Sequence, residues 1–273
     1  MAKLYIVEGL PCSGKSTTAK HMADRLTAGG RNVKFVDEGS EDHPADFENC
    51  AYVTGGQLAA FPPGLRERVR TGGKPRMDGY VVPMGPFGGA AGERLRPYKI
   101  YDALPWETEM PLMLDNWARF AEQAEDTKTG TVYVFNCVLL QNPMCETMMR
   151  FGFPQEQSLA YISQIVERIG ALDPAVVYLK NDEIAPSVRA AAEERPGWLD
   201  AVVEYHVNGG YGKSVGAQGF DGYIACLEER QRRELAILEQ LPVKSLVLDN
   251  PQRDWKGAYA QINRFMAREG DRV

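Results

Sequence analysis

Hydrophobic residues along the chain fall into two alternating patterns. Short, continuously apolar runs occupy residues 3–8, 32–37, 131–137, 175–179 and 244–249. Unbroken apolar runs of this length suit strands covered on both faces, as in a parallel sheet. Between them apolar positions recur at helical spacing. Residues 14–26 read as a helix, Leu159, Ile162, Ile165, Val166 and Ile169 form a stripe over 157–169, and Leu227, Leu235, Leu238 and Leu241 form another over 224–241. Ala258, Ile262, Phe265 and Met266 mark a C-terminal helix. Strands alternating with helices predict an α/β fold with crossover helices, and the stripes are expected to face the core without carrying chemistry.

Two regions interrupt the alternation. Residues 62–96 interleave Gly64, Gly72, Gly73, Gly79, Gly85, Gly88, Gly89 and Gly92 with Pro62, Pro63, Pro75, Pro83 and Pro86, which predicts an irregular segment. A helix over 107–125 follows, with Met110, Met113, Leu114, Trp117 and Ala121 on one stripe. The second break, 208–222, is a Gly-rich loop between two helices. Neither an internal repeat nor a linker divides the chain, so one domain over 1–273 is expected.

Composition narrows the function classes. The 273 residues carry 31 Lys+Arg against 37 Asp+Glu, a net charge of −6. Such a balance argues against a broad basic face for nucleic acid, while a local site for small anions stays open. The length buries a core without disulfides. Five cysteines, an odd number with no C-x-x-C spacing, fit a reducing cytosol. The first residues are apolar only from Leu4 to Val7, and no run approaches the roughly 18 apolar residues of a membrane span. A cytoplasmic protein without membrane contact is expected.

The strongest local signal is Gly9-Leu-Pro11-Cys12-Ser13-Gly14-Lys15-Ser16, followed by Thr17, which meets G-x-x-x-x-G-K-[ST] at every fixed position. A strand before it and a helix after it complete the phosphate-loop context. Backbone N–H groups and the helix N-terminus cradle an anion, Lys15 adds a point charge on the β/γ-phosphates, and the Ser16 hydroxyl is placed to ligate Mg²⁺. Cys12 sits where the backbone does the binding, so no redox role is assigned to it. A hydrolytic motor usually follows with an apolar strand ending in an acid. Here the third strand ends in Asn136, with no acid before Glu146.

The second strand ends in Asp37-Glu38, followed by Glu41, Asp42 and His43. Carboxyl ends of parallel strands beside the phosphate loop form the ligand crevice, which directs Asp37 and Glu38 towards the nucleotide. A carboxylate there can take a proton from an attacking hydroxyl or assist Mg²⁺. Either acid fits the role of base. His43 is a candidate for acceptor binding.

The chain order resembles the thymidylate-kinase-like group of P-loop nucleoside and nucleotide kinases, with a partial likeness to chloramphenicol phosphotransferase. The residues that carry it are Gly9–Thr17, Asp37 closing the second strand, the 175–185 segment that is similar to the strand and helix leading into a lid, the basic helix around Arg230, and 244–250 as the last strand. The resemblance implies a three-layer P-loop fold with a five-stranded parallel sheet in the order 2-3-1-4-5, an acceptor-binding insertion and a lid. It implies ATP and Mg²⁺ as cofactors and phosphoryl transfer to a small molecule.

Departures from that group matter too. Its third strand usually ends in Asp-Arg, whereas this chain has Asn136-Cys137. Residues 45–126 form the expected acceptor-binding insertion, with Tyr80, Tyr98, Tyr101 and Asp102 as candidates to meet a polar ring; Gln141 and Asn142 are placed to read hydroxyls or a base edge. Over the lid, 195–222, Lys213 and, beyond it, Arg230 are the expected catalytic cations beside Lys15 and Asp37, with Arg189, Arg195, Arg232 and Arg233 nearby. The leading expectation is an ATP-dependent kinase acting on a hydroxyl of a nucleoside-like metabolite or antibiotic, as a monomer or homodimer. A nucleotide-dependent switch acting on a protein partner, and a nucleoside monophosphate kinase using Arg66, Arg68, Arg70, Lys74 and Arg76, are the alternatives.

Overall fold

The computed structural model describes residues 2–40, 42–126 and 130–270; Glu41, one of the loop acids, lies outside them. The chain begins with β1 (Leu4–Gly9), α1 (Lys15–Ala28) and β2 (Val33–Val36). It continues through β3 (Cys50–Thr54), α2 (Gly55–Ala59), α3 (Pro63–Gly72), β4 (Lys74–Arg76), β5 (Gly79–Pro83), α4 (Gly89–Leu95) and α5 (Trp106–Glu125). Then come β6 (Val132–Asn136), α6 (Gln141–Met144), a π-helical turn over Cys145–Arg150, and α7 (Gln155–Ile169). The last part holds β7 (Ala175–Lys180), α8 (Ile184–Glu194), α9 (Trp198–Asn208), α10 (Gly210–Ser214), α11 (Gly219–Leu238), β8 (Lys244–Asp249) and α12 (Trp255–Gly270). Two compact units emerge: one runs up to Glu38 and resumes at Ala121, the other is Gly39–Phe120.

In the first unit the five apolar runs form one sheet in the order β2-β6-β1-β7-β8, every pairing parallel. Counted within this sheet, that is the expected 2-3-1-4-5. The register sets Val7 beside Asn136 and Gly9 beside Leu179, which brings the ends of β1, β6 and β2 to one edge. Side chains alternate across the sheet. Tyr5 and Val7 therefore join Met22, Val134, Val177, Leu179 and Ile262 in a core with α1 and α12 on one face, while Leu4, Ile6 and Glu8 turn to the other. Full burial holds for β1 and nearly so for β7. At the edges the expectation is corrected: only Val36 of β2 and Leu248 of β8 are buried, because an edge strand lacks a neighbour and a full helical cover.

The stripe on α11 also needs correction. The helix ends at Leu238, and its buried face includes Arg230, Gln231 and Glu234 beside Leu227. Chemistry therefore sits on a face that the leucine spacing marks as plain core.

The second unit overturns the expectation of irregular chain over 62–96. It holds a three-stranded antiparallel sheet, β3-β5-β4, over a core of Val53, Leu58, Phe61, Leu65, Val69, Val82 and Phe87. Its prolines and glycines punctuate short elements instead of abolishing them. Pro63 opens α3 where its missing N–H costs nothing, and a Cβ on Gly79 would stand 2.3 Å from the Val53 carbonyl across the hairpin.

Residues 208–222 are likewise mostly helical. A Cβ on Gly209 would lie 2.3 Å from Met149 O, one on Gly210 2.7 Å from Arg150 O, and one on Gly212 2.2 Å from His206 O. These glycines let α10 pack backbone to backbone against the π-helical turn and the end of α9. Among the described residues no helix is long and apolar enough to cross a membrane.

Candidate active site

The phosphate loop owes its shape to three residues with positive φ: Gly9 at 144°, Cys12 at 66° and Gly14 at 90°. Side chains are excluded at both glycines. A Cβ at Gly9 would meet Leu179 O at 2.7 Å, and one at Gly14 would enter the Trp255 ring at 2.6 Å. The helix α1 starts without a side-chain cap and without an acid in its first turn. Its N-terminal N–H groups are thus left for an anion. Lys15 is only 6 % exposed and its Nζ donates to Leu10 O at 3.0 Å, folded over the loop it serves. Burial raises the Cys12 thiol above its ordinary value against the pull of Arg195 and Lys15, so it stays protonated.

The metal side of the site is built around an amide. Asn136 Nδ2 donates to Ser16 Oγ at 2.9 Å and to Asp37 Oδ1 at 2.7 Å. Its Oδ1 is buried without a partner among the described residues. The chain holds no cluster of three or more His, Cys, Asp or Glu fit for a metal among those residues. A hydroxyl, a carboxylate and an amide oxygen beside a phosphate cradle do fit a hard cation completed by phosphate oxygens and water.

A cleft of about 670 Å³ opens over this loop, lined by Pro11, Cys12 and the four residues Gly14 to Thr17 on one side and by Arg195, Trp198, Val202, His206 and Tyr223 on the other. Glu38 and Gln141 also line it. Gln141 Nε2 donates to Glu38 Oε1 at 2.6 Å. Adjacent acids in sequence thus take separate positions: Asp37 joins Ser16 and Asn136, and Glu38 joins Gln141 in the cleft.

The loop from Asn136 to Gln141 is strained. Cys137 has φ 46° and the β-branched Val138 has φ 120°, conformations that cost of order 1–3 kcal/mol each. The compensation comes from Glu8, wholly buried before the phosphate loop, whose Oε1 accepts from Leu139 N at 2.8 Å and Leu140 N at 3.0 Å and whose Oε2 accepts from Gln141 N at 3.1 Å. Burial pushes its carboxyl up to about 7, opposed by these N–H groups and reinforced by Glu234. In the sequence Glu8 is marked only as the acid closing an otherwise apolar run.

Beneath the cleft lies a buried ionic group. Arg230, 1 % exposed, pairs with Glu234 at 3.1 Å and donates to Cys145 Sγ at 3.3 Å, while Tyr178 OH donates to Glu234 Oε2 at 2.6 Å. Burial raises Cys145 to about 11. His206 gives Nδ1–H to Val202 O at 2.7 Å and is lowered to about 4 by burial and by Arg230, so it is neutral. Of the three arginines of α11, Arg230 faces inward, whereas Arg232 and Arg233 pair with Glu229.

Other expected residues lie elsewhere. Lys213 is exposed on α10 and is not among the residues lining the cleft. Asn142 sits in α6, and the cleft lining passes to its neighbour Gln141. His43, Tyr80, Tyr101 and Asp102 belong to the second unit and are engaged within it. His43 Nδ1 accepts from Ala45 N at 3.1 Å, Tyr80 packs on the hydrophobic core, Tyr101 OH donates to Asp46, and Asp102 pairs with Lys99. Tyr98 stacks at a tilt on Phe61.

A family model described as chromatin associated protein KTI12 matches residues 1–52. No curated protein matches the chain in sequence. Among solved structures, the YorR protein of Bacillus subtilis, in complex with phosphorylated GDP, is 14% identical with a TM-score of 0.42, covering 99% of both chains. Thymidylate kinase of Candida albicans is 14% identical with a TM-score of 0.40, covering 96% of this chain and 93% of its own. Deoxyadenosine kinase of M. mycoides, with bound dCMP and dCDP, is 12% identical with a TM-score of 0.43, covering 96% and 99%.

Proposed function

We propose that this chain is a P-loop phosphotransferase that moves the γ-phosphoryl group of ATP to a hydroxyl of a small molecule. The observation that carries the reading is the continuity of one cleft. Its floor is a phosphate cradle with Lys15 and Ser16, and the same cavity extends to Glu38 and Gln141, where an acceptor hydroxyl would meet a carboxylate.

Each residue then has a task. Gly9, Pro11, Cys12, Ser13 and Gly14 bend the backbone around the phosphates, Lys15 turns from Leu10 O to the β/γ oxygens, and Thr17 extends the helix N-terminus. Ser16 and Asp37 would hold Mg²⁺, with Asn136 fixing both. When bound, the cation would neutralise phosphate charge. A carboxylate of the Asp37–Glu38 pair accepts the proton of the acceptor hydroxyl, whose oxygen forms a bond to Pγ as the bond from Pγ to the bridging oxygen breaks and ADP departs. Glu38, in the cleft, is the better placed of the two. Arg195 lines the cleft and supplies charge that the sequence reading assigned to Lys213.

An unphosphorylated acceptor, nucleoside-like or an antibiotic, is favoured over a monophosphate. Arg66 donates to Ala59 O and Phe61 O, Arg68 to Pro86 O, and Arg76 pairs with Asp115, so these guanidinium groups are engaged. The test is ATP turnover by purified protein with Mg²⁺ and panels of nucleosides and antibiotics. ADP formed in step with a phosphorylated acceptor supports the reading, and Lys15→Ala should remove it. Release of inorganic phosphate stimulated by a protein partner overturns it.

A further inference from the structure

We propose that Glu8 is a positioning residue: its buried carboxylate holds the Asn136–Gln141 loop in the one conformation that presents the Asn136 amide to Ser16 and Asp37 and the Gln141 amide to Glu38. The role at this site rests on the phosphotransferase reading above, but the structural claim does not.

The argument starts from β1. Alternation turns Glu8 away from the face covered by α1 and α12, and its backbone leads directly into Gly9. A carboxylate there is costly unless hydrogen-bonded. It finds three successive backbone N–H groups, those of Leu139, Leu140 and Gln141. Consecutive N–H groups converging on one point form a nest, a concavity that favours an anion. The nest is reached only through the left-handed Cys137 and the unfavourable Val138.

Both ends of this loop carry site residues. Asn136 precedes the strained pair and bridges Ser16 and Asp37. Gln141 closes the nest and grips Glu38. Deleting the carboxylate releases the strain in Cys137 and Val138 and moves both amides together. The two acids of the site, both just after β2, are thereby tied to the phosphate loop through a residue that touches neither.

The test compares wild type with Glu8→Gln, in which an NH₂ group replaces one acceptor and faces the nest. Hydrogen exchange is measured by mass spectrometry on peptides covering 136–142 and on peptides covering β1 and β7, and nucleotide affinity is measured with a fluorescent ATP analogue. Expected are exchange at least about tenfold faster in 136–142 with protection kept in the sheet, and ATP affinity within about threefold of wild type. Where an acceptor turns over, kcat falls about 10- to 100-fold with little change in KM for ATP, in line with other supporting-shell losses. Unchanged exchange in 136–142 overturns the proposal, and so does a uniform loss of protection throughout the sheet. Should Glu8→Gln fail to fold, Glu8→Asp, which keeps the charge but shortens its reach, is held to the same outcomes. Failure of the kinase reading would show as altered exchange in 136–142 without any phosphorylated acceptor, a result distinct from failure of the Glu8 assignment.

Discussion

Asn136 Nδ2 lies 2.7 Å from Asp37 Oδ1 and shares its second hydrogen with Ser16 Oγ. An amide thus stands at the strand end where an acid is usual, and it clamps a hydroxyl and a carboxylate instead of adding a second negative charge. Its removal should loosen the cation site more than the nucleotide site. For Asn136→Ala the expected result is a rise of about 10- to 100-fold in the Mg²⁺ concentration needed for half-maximal turnover, checked by Mn²⁺ titration followed by electron paramagnetic resonance. Metal-free ADP affinity should stay within about threefold.

Gly14 and Trp255 make a second linked pair. A methyl on Gly14 would sit 2.6 Å from the Trp255 ring, at a φ of 90° that side chains avoid. Gly14→Ala is expected to abolish nucleotide binding and to lower stability by about 1–3 kcal/mol. Adding Trp255→Ala relieves the collision but not the backbone strain, so calorimetric binding should recover only in part.

Much of this was legible in the sequence. Continuous apolar runs sufficed for five parallel strands because β1, β6 and β7 are covered on both faces, and the phosphate loop announces itself because its glycines answer to backbone geometry alone. Other features were not readable. Arg230 and Glu234 share a helix face with leucines, and spacing does not reveal that two opposite charges four residues apart are buried together. Lys213 looked like a lid cation because glycines surround it, yet those glycines serve close packing against Met149 and Arg150. In the second unit, prolines at element starts look the same in sequence as prolines in loops.

Two buried groups should set the pH dependence of stability with opposite signs. Glu8 has its folded value raised from 4.5 to about 7, so the folded state holds its proton more tightly, and the stability it contributes at low pH is lost as pH rises from 4.5 to about 7. His206 is lowered from 6.5 to about 4, so stability is lost as pH falls across that window, when the unfolded imidazole takes up a proton. Each effect is about 3 kcal/mol, and between pH 4.5 and 6.5 they nearly cancel. Denaturant unfolding across that range should therefore be flatter for wild type than for either variant. Glu8→Gln should expose a rise in stability with pH, and His206→Phe a fall; a slope unchanged in both would show that neither group governs it.

The cation beside the transferred phosphate is tested by comparing two residues. Arg195 lines the cleft next to the phosphate loop, while Lys213, on α10, is not among the residues lining it. Stabilising spreading negative charge requires a donor beside the transferred phosphate, and although both side chains are exposed, only Arg195 lines the cleft that holds the phosphate loop. Arg195→Ala should lower kcat about 100-fold with ATP affinity nearly kept, because its contribution grows with the charge of the transition state. Lys213→Ala should leave kcat within about twofold. Arg195 also lies 5.7 Å over the Trp198 ring, so Arg195→Lys, which keeps charge but loses the planar stack and fork, should recover only part of the rate. Steady-state kinetics on the three variants decides the matter: a larger loss at Lys213 than at Arg195 would place the cation on α10 instead.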